Sequence, residues 1–172
     1  MTKATLLLLF ASTSQTHNLP DGLLESLCWV ESSHNVKALH MDDGGSNSVG
    51  VCQIKLATAR LLGFKGTEEQ LRDPKTNVFY AGRYLSRQLR RYVGNVHMGV
   101  AAYNSGTFRL AEDGKAKNQK YVDKVVTTWS KKYAPVSSKF LSKVHKCKRR
   151  EVRDKDGQAY PKGRPRDLRA VR

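Results

Sequence analysis

Glu31 is the residue of this sequence best placed to do chemistry. It ends an apolar stretch, Leu23-Leu24-Glu25-Ser26-Leu27-Cys28-Trp29-Val30, and Ser32-Ser33 follow it. A carboxyl group crowded by Trp29 and Val30 is partly desolvated. Desolvation disfavours the charged form and keeps the acid protonated near neutrality, as a general acid requires. A lone glutamate of this kind is more often an ordinary exposed helix residue, so the weight falls on its companions. Other chemistries have less behind them. His34 and His40 stand near Asp42 and Asp43, but there is no HExxH or comparable ligand set, and His17, His97 and His145 are scattered. No metal is therefore expected. No spacing recommends a Ser/His/Asp or Cys/His nucleophile, and no cofactor is implied.

The elements that would position Glu31 read as mainly helical. After Lys3, the run Leu6-Leu7-Leu8-Leu9-Phe10-Ala11 fits a first helix from about Thr5 to Thr16. The competing expectation for residues 1–17 is a weak signal-like segment with cleavage near Ala11 or Ser12. The run is too short to span a bilayer, and no other stretch of the sequence suits that role. Pro20 is expected in the first turn of a second helix, with Leu23, Leu24, Leu27, Cys28 and Val30 at helical spacing and an end near Ser32-Ser33. From His34 to Asn47 the composition turns to Asn, His, Asp, Gly and Ser, which predicts an irregular loop or small hairpin. A short helix from Leu56 to Leu62 should stop at Gly63. Pro74 opens a long amphipathic helix with Val78, Ala81, Leu85, Leu89 and Tyr92 on one face. Two further helices are expected, Val96 to Tyr103 and Tyr121 to Trp129, the latter with Tyr121, Val125, Val126 and Trp129 inward.

A chain of 172 residues suits one domain with a real core. Its net charge of +16 favours a polyanionic partner: nucleic acid, an anionic membrane face, or a wall carrying carboxylates and phosphates. The charge is uneven. Between Ser130 and Arg172, 15 Lys/Arg stand against four acids, whereas the first 129 residues carry only +5. Beyond about Lys148 apolar periodicity is lost, so residues 136–172 read as a basic, largely disordered tail. The three cysteines, Cys28, Cys52 and Cys147, make no disulfide framework. A Cys28–Cys52 bridge is open to the pair, but buried free thiols are the expected state.

The companions of Glu31 are ordered along the chain. Glu31-Ser32 closes a helix; Gly50-Val51-Cys52-Gln53-Ile54 follows a Gly/Ser loop; Leu71-x-Asp73-Pro74 opens the helix that holds Asn77, Gly82 and Tyr84-Leu85. Ala101-Ala102-Tyr103-Asn104-Ser105-Gly106 and Tyr121-Val122 complete the series. Five such pieces in register resemble the soluble lytic transglycosylase (SLT) family of the lysozyme-like superfamily, over roughly Asn18 to Trp129. Asp43-Gly44-Gly45-Ser46 before Gly50 is also similar to a loop of the small specialised and phage-type members, which open the wall for secretion, conjugation or phage entry.

The resemblance implies an α+β, mainly helical, lysozyme-like fold, with a small loop or hairpin lobe beside an active-site groove and the SLT domain at 18–135. It implies cleavage of the MurNAc–GlcNAc β-1,4 bond of peptidoglycan, with Glu31 as acid and then base and a 1,6-anhydro product. Gln53, Tyr103 and Asn104 then line the groove, Gly50 lets the backbone approach the sugar, and the Tyr121 hydroxyl reaches Glu31. Ser32 belongs to the Glu-Ser pair, and Ser46 and Ser48 are loop candidates for the N-acetyl group. Cys52 stands where the family usually has methionine, and Val51 replaces leucine. The expected setting is a phage virion or the bacterial periplasm, with virion, secretion or conjugation proteins as partners and nonspecific polyanion binding by the tail.

Two rivals share these residues. A hydrolytic lysozyme would use Glu31 with Asp42 or Asp43 as a second carboxylate. A virion structural or nucleic-acid-binding protein would act through the tail, although the tail has few aromatics beyond Tyr160 and no recognition motif.

Overall fold

A computed structural model describes residues 1–41 and 45–133. The expected basic tail at 136–172 lies outside the described residues, as do Asp42 and Asp43. The described part is mainly helical, with one small antiparallel sheet, in agreement with the expected α+β class.

Helix α1 spans Lys3–Thr16 and α2 spans Leu23–Ser32; strands β1 (Leu39–His40), β2 (Ser48–Val49) and β3 (Ile54–Lys55) follow. Then come α3 (Leu56–Leu61), α4 (Glu68–Arg72), α5 (Pro74–Arg91), α6 (Val96–Ser105) and α7 (Gln119–Tyr133). The principal core joins α1, α2, α5, α6 and α7. Leu23, Leu24, Leu27, Val78, Leu85, Val100, Val122 and Val125 are fully buried in it. Each such side chain contributes about 1.5–3 kcal/mol of apolar burial. A second, smaller cluster of Val49, Ile54, Ala59 and Leu71 underlies the sheet. The helices and the sheet thus rest on separate apolar centres, and a groove lies between them.

Helix starts follow local chemistry. Asp73 caps α5 by accepting from the Thr76 backbone N–H at 2.9 Å, with Pro74 in the first turn. Helix α4 was not anticipated, although Thr67 and Gln70 form a capping box at its start, a signal present in Thr-Glu-Glu-Gln. Helix α1 is part of the core, with Leu6 and Phe10 buried in the principal cluster.

Pro20 does not open α2, contrary to expectation. The chain turns first at Gly22, the N-cap residue, in the left-handed region at φ +72°. The Tyr133 ring occupies the space a Cβ there would need, so the helix begins only at Leu23. Helix α7 closes over the same corner. The Trp129 indole Nε1 donates to the Asp21 carbonyl at 2.7 Å, and Lys132 Nζ and Tyr133 Oη both donate to the Glu25 carboxylate. Glu25 is only 4% exposed, so these partners offset what would otherwise be a costly buried charge.

The cysteines correct a second expectation. Cys28 and Cys52 are joined in a disulfide and are not free thiols. Cys28 lies on the inward face of α2, and Cys52 sits in the turn between β2 and β3. Both are fully buried, with Cα atoms 4.3 Å apart. A sequence separation of 24 gives no hint of that proximity, because the fold creates it. Among the described residues no helix is long and apolar enough to cross a membrane.

Candidate active site

The turn Gly50–Gln53 is the most heavily braced segment of the described structure, and it forms one wall of the groove. Gly50 (φ +74°) and Gln53 (φ +47°) are both left-handed, and the Gln53 N–H closes the turn on the Gly50 carbonyl at 3.1 Å. From α2 come the Cys28–Cys52 disulfide and the Ser32 hydroxyl, which donates to the Val51 carbonyl at 2.7 Å. From α5 comes Asn77, fully buried. Its Nδ2 donates to the carbonyls of Val49 (2.9 Å) and Leu71 (3.0 Å), and its Oδ1 accepts from the Cys52 N–H (2.9 Å). From α6 comes the Tyr103 hydroxyl, which donates to the Cys52 carbonyl at 2.9 Å. A side chain at position 50 would collide with the Asn77 carboxamide, so a glycine there serves close packing as well as φ.

Asn77 is therefore expected to be one of the costliest single changes in the domain. Asn77→Leu strands two carbonyls and one N–H, each worth about 1–3 kcal/mol when buried without a partner. The expected loss of stability is at least about 3 kcal/mol, read as a lower urea midpoint at unchanged slope.

Glu31 lies in the last turn of α2, which two successive left-handed residues, Ser33 and His34, bring to an end. Tyr121 of α7 donates its hydroxyl to Glu31 Oε1 at 2.5 Å. Burial, then the charge and hydrogen bond of Glu31, push the Tyr121 hydroxyl well above the ordinary phenol range. Burial also pushes Tyr103 well up, with the Glu31 charge next in effect. Both hydroxyls thus stay protonated donors throughout the physiological range. The expected crowding of Glu31 by Trp29 is not found: Trp29 is 47% exposed and packs edge-on against His34. The enclosure comes from the tyrosines of α6 and α7.

The groove is a cleft of about 540 Å³ whose lining includes Glu31, Ser48, Gln53, Tyr103 and Asn104. Residues 9–126 match the family described as the transglycosylase SLT domain. The chain belongs to that family. Its SLT domain is 30% identical over 137 residues to the membrane-bound lytic murein transglycosylase E of Buchnera aphidicola, covering 72% of this chain and 60% of that protein. It is 30% identical over 95 residues to Protein IpgF of Shigella flexneri, covering 54% of this chain and 62% of the relative. It is also 30% identical over 115 residues to the transglycosylase of Enterobacteria phage PRD1, covering 67% and 39%. The chain therefore spans about three-fifths of the length of the first two of these relatives. Among solved structures it resembles an inactive mutant of the lytic transglycosylase Slt of Pseudomonas aeruginosa. The TM-score is 0.59 at 22% identity, over 77% of this chain and 24% of that one, a likeness of fold.

Within the SLT domain, the structure brings Glu31, Ser48, Gln53, Tyr103 and Asn104 to one cleft. Tyr121 stands behind Glu31 as its hydrogen-bond donor. Ser32 is directed at the Val51 carbonyl and Gly50 packs on Asn77, so both support the groove wall. Ser46 is not among the residues that line the cleft. Gln53 donates through Nε2 to the Gly50 carbonyl at 2.9 Å, and Asn104 accepts from Asn118 at 2.9 Å, which fixes both amides at the cleft.

Sequence reasoning gave no role to several lining residues, among them His40, Lys55, Thr58 and Tyr84. Tyr84 stacks obliquely on Tyr103, with ring centroids 5.2 Å apart. It falls seven residues after Asn77, two helical turns along the same face, and that spacing was the available signal. His40 and Lys55 are on strands of two residues, too short for an alternation to be read.

Proposed function

We propose that this chain is a lytic transglycosylase that cleaves the MurNAc–GlcNAc β-1,4 bond of peptidoglycan, with Glu31 as acid and then base. The observation that carries this is the Glu31 carboxyl at the cleft, held by Tyr121 and facing the braced Gly50–Gln53 turn. In the first step the Glu31 proton passes to the glycosidic oxygen and the C1–O bond breaks, leaving an oxocarbenium-like centre aided by the substrate's N-acetyl group. In the second, the same sugar's C6 hydroxyl oxygen bonds to C1, and its proton returns to the Glu31 carboxylate. A 1,6-anhydro ring results and no water is consumed. One carboxyl group serves both steps, as microscopic reversibility allows.

Tyr121 then has a defined part. Its hydroxyl stabilises the Glu31 carboxylate between the two proton transfers, and a hydrogen bond to a charged group is worth about 1.5–3 kcal/mol. Tyr121→Phe is expected to lower kcat about 10-fold or more, with KM and melting temperature little changed. Steady-state kinetics on soluble glycan oligomers beside a thermal melt measure both.

The experiment for the reaction itself is digestion of purified peptidoglycan, with muropeptides resolved by mass spectrometry. Non-reducing products one water lighter than hydrolytic ones, absent with Glu31→Gln, are expected. Reducing-end products would replace this mechanism with the hydrolytic one, and attention would pass to Asp42 and Asp43. The setting proposed is a phage particle or the bacterial periplasm, supported by the relatives in phage PRD1 and Buchnera.

A further inference from the structure

The sheet wall of the cleft carries a feature that cleavage of a neutral glycan does not require. In the sheet register His40 pairs with Ser48, and Ser48 pairs with Lys55. Directly opposed residues of antiparallel strands project from the same face. The three side chains therefore form a row across the strands, about 10 Å from end to end at the usual strand spacing. All three line the same cleft as Glu31. The intervening positions Val49 and Ile54 are directed to the other face and buried in the apolar cluster beneath the sheet, which fixes which way the row points. Ser48 is only 5% exposed, so its place in the row is set by packing.

A row of a lysine ammonium, a hydroxyl and an imidazole is a set of hydrogen-bond donors with a fixed positive charge at one end. A neutral sugar has no group that uses the charge. A carboxylate does, and a low-dielectric cleft strengthens such a pairing relative to open water. In the substrate class proposed above, the carboxylates belong to the lactyl-peptide arm on C3 of N-acetylmuramic acid. N-acetylglucosamine has no such arm.

We propose that His40, Ser48 and Lys55 form a subsite for a carboxylate of the lactyl-peptide arm, which selects muramoyl glycans over neutral N-acetylglucosamine polymers. This rests on the function proposed above and adds a determinant of specificity on the β1–β3 wall. Lys55 and His40 act here on binding, separately from the proton transfers at Glu31.

The test compares wild type, Lys55→Met and Lys55→Arg on three soluble glycan oligomers. One carries intact peptide stems; one has stems removed by an amidase, leaving the lactyl carboxylate; one has its carboxylates amidated. On the stem-bearing glycan, Lys55→Met is expected to raise KM about 10-fold with little change in kcat, and Lys55→Arg to restore most of the loss. On the amidated glycan the KM of wild type should itself rise, and its ratio to Lys55→Met should fall toward one. Persistence of the Lys55 effect on the stem-free glycan assigns the lactyl carboxylate as the ligand; its loss there assigns the stem. An equal Lys55→Met defect on charged and amidated glycans, or none on either, overturns the subsite. Because wild-type cleavage is followed on every substrate, a failure of the underlying reaction would show separately, as no Glu31-dependent products at all.

Discussion

Glu31→Gln is expected to lower kcat on peptidoglycan by about 10²–10⁴-fold, the range that a positioned proton-transfer group contributes. The upper end is the more natural expectation, because the same carboxyl group both gives and takes a proton in the proposed reaction. Glutamine keeps the shape, and its amide oxygen can still accept from the Tyr121 hydroxyl, so the α2–α7 contact survives. The loss should therefore fall on kcat, with an unchanged melting temperature and binding of glycan oligomers within a few-fold of wild type. Kinetics, a thermal melt and a direct binding isotherm on the same preparations separate these. A variant that retained a tenth of wild-type turnover would remove Glu31 from its role.

Reduction of the Cys28–Cys52 disulfide is expected to cost about 3 kcal/mol on the chain-entropy account, given the sequence separation of 24. That is a large part of the roughly 5–15 kcal/mol that holds an ordinary domain folded. It corresponds to a melting temperature lower by roughly 10 °C for a domain of this size. The Cys28→Ser/Cys52→Ser double variant should fall by a similar amount and lose its sensitivity to reductant. An effect on activity should accompany the loss, because the bridge ties the helix that ends at Glu31 to the turn that presents Gln53. Urea titrations with and without a dithiol reductant give the stability difference. Coincident curves for the oxidised and reduced wild type would show that the disulfide contributes nothing to the fold.

The parts of this molecule that were legible in its sequence are those governed by local periodicity and by motif order. The apolar face of α5, with Val78, Ala81, Leu85 and Leu89 buried, follows from 3.6-residue spacing alone. So does the inward face of α7 at Val125 and Trp129. Glu31, Gln53, Tyr103 and Asn104 were placed together by their order along the chain, and they share one cleft. What was not legible depends on long-range packing. The disulfide joins residues whose proximity exists only after α2 meets the β2–β3 turn. The start of α2 was displaced from Pro20 because Gly22 must yield space to Tyr133, a residue from the far end of the domain. Trp29 was expected to shelter Glu31 because the two are neighbours in sequence. On a helix adjacent residues diverge by about 100°, so Trp29 faces outward and residues of α6 and α7 provide the enclosure. The row His40–Ser48–Lys55 required the strand register, which two-residue strands do not announce.

The fate of water decides the central claim, that Glu31 closes an anhydro ring and does not activate a water molecule. Peptidoglycan digested by the wild-type protein in H₂¹⁸O, with products read at once by mass spectrometry, should yield anhydro-ended muropeptides that carry no solvent oxygen. Reducing-end muropeptides bearing one ¹⁸O would contradict it and identify the domain as a hydrolase.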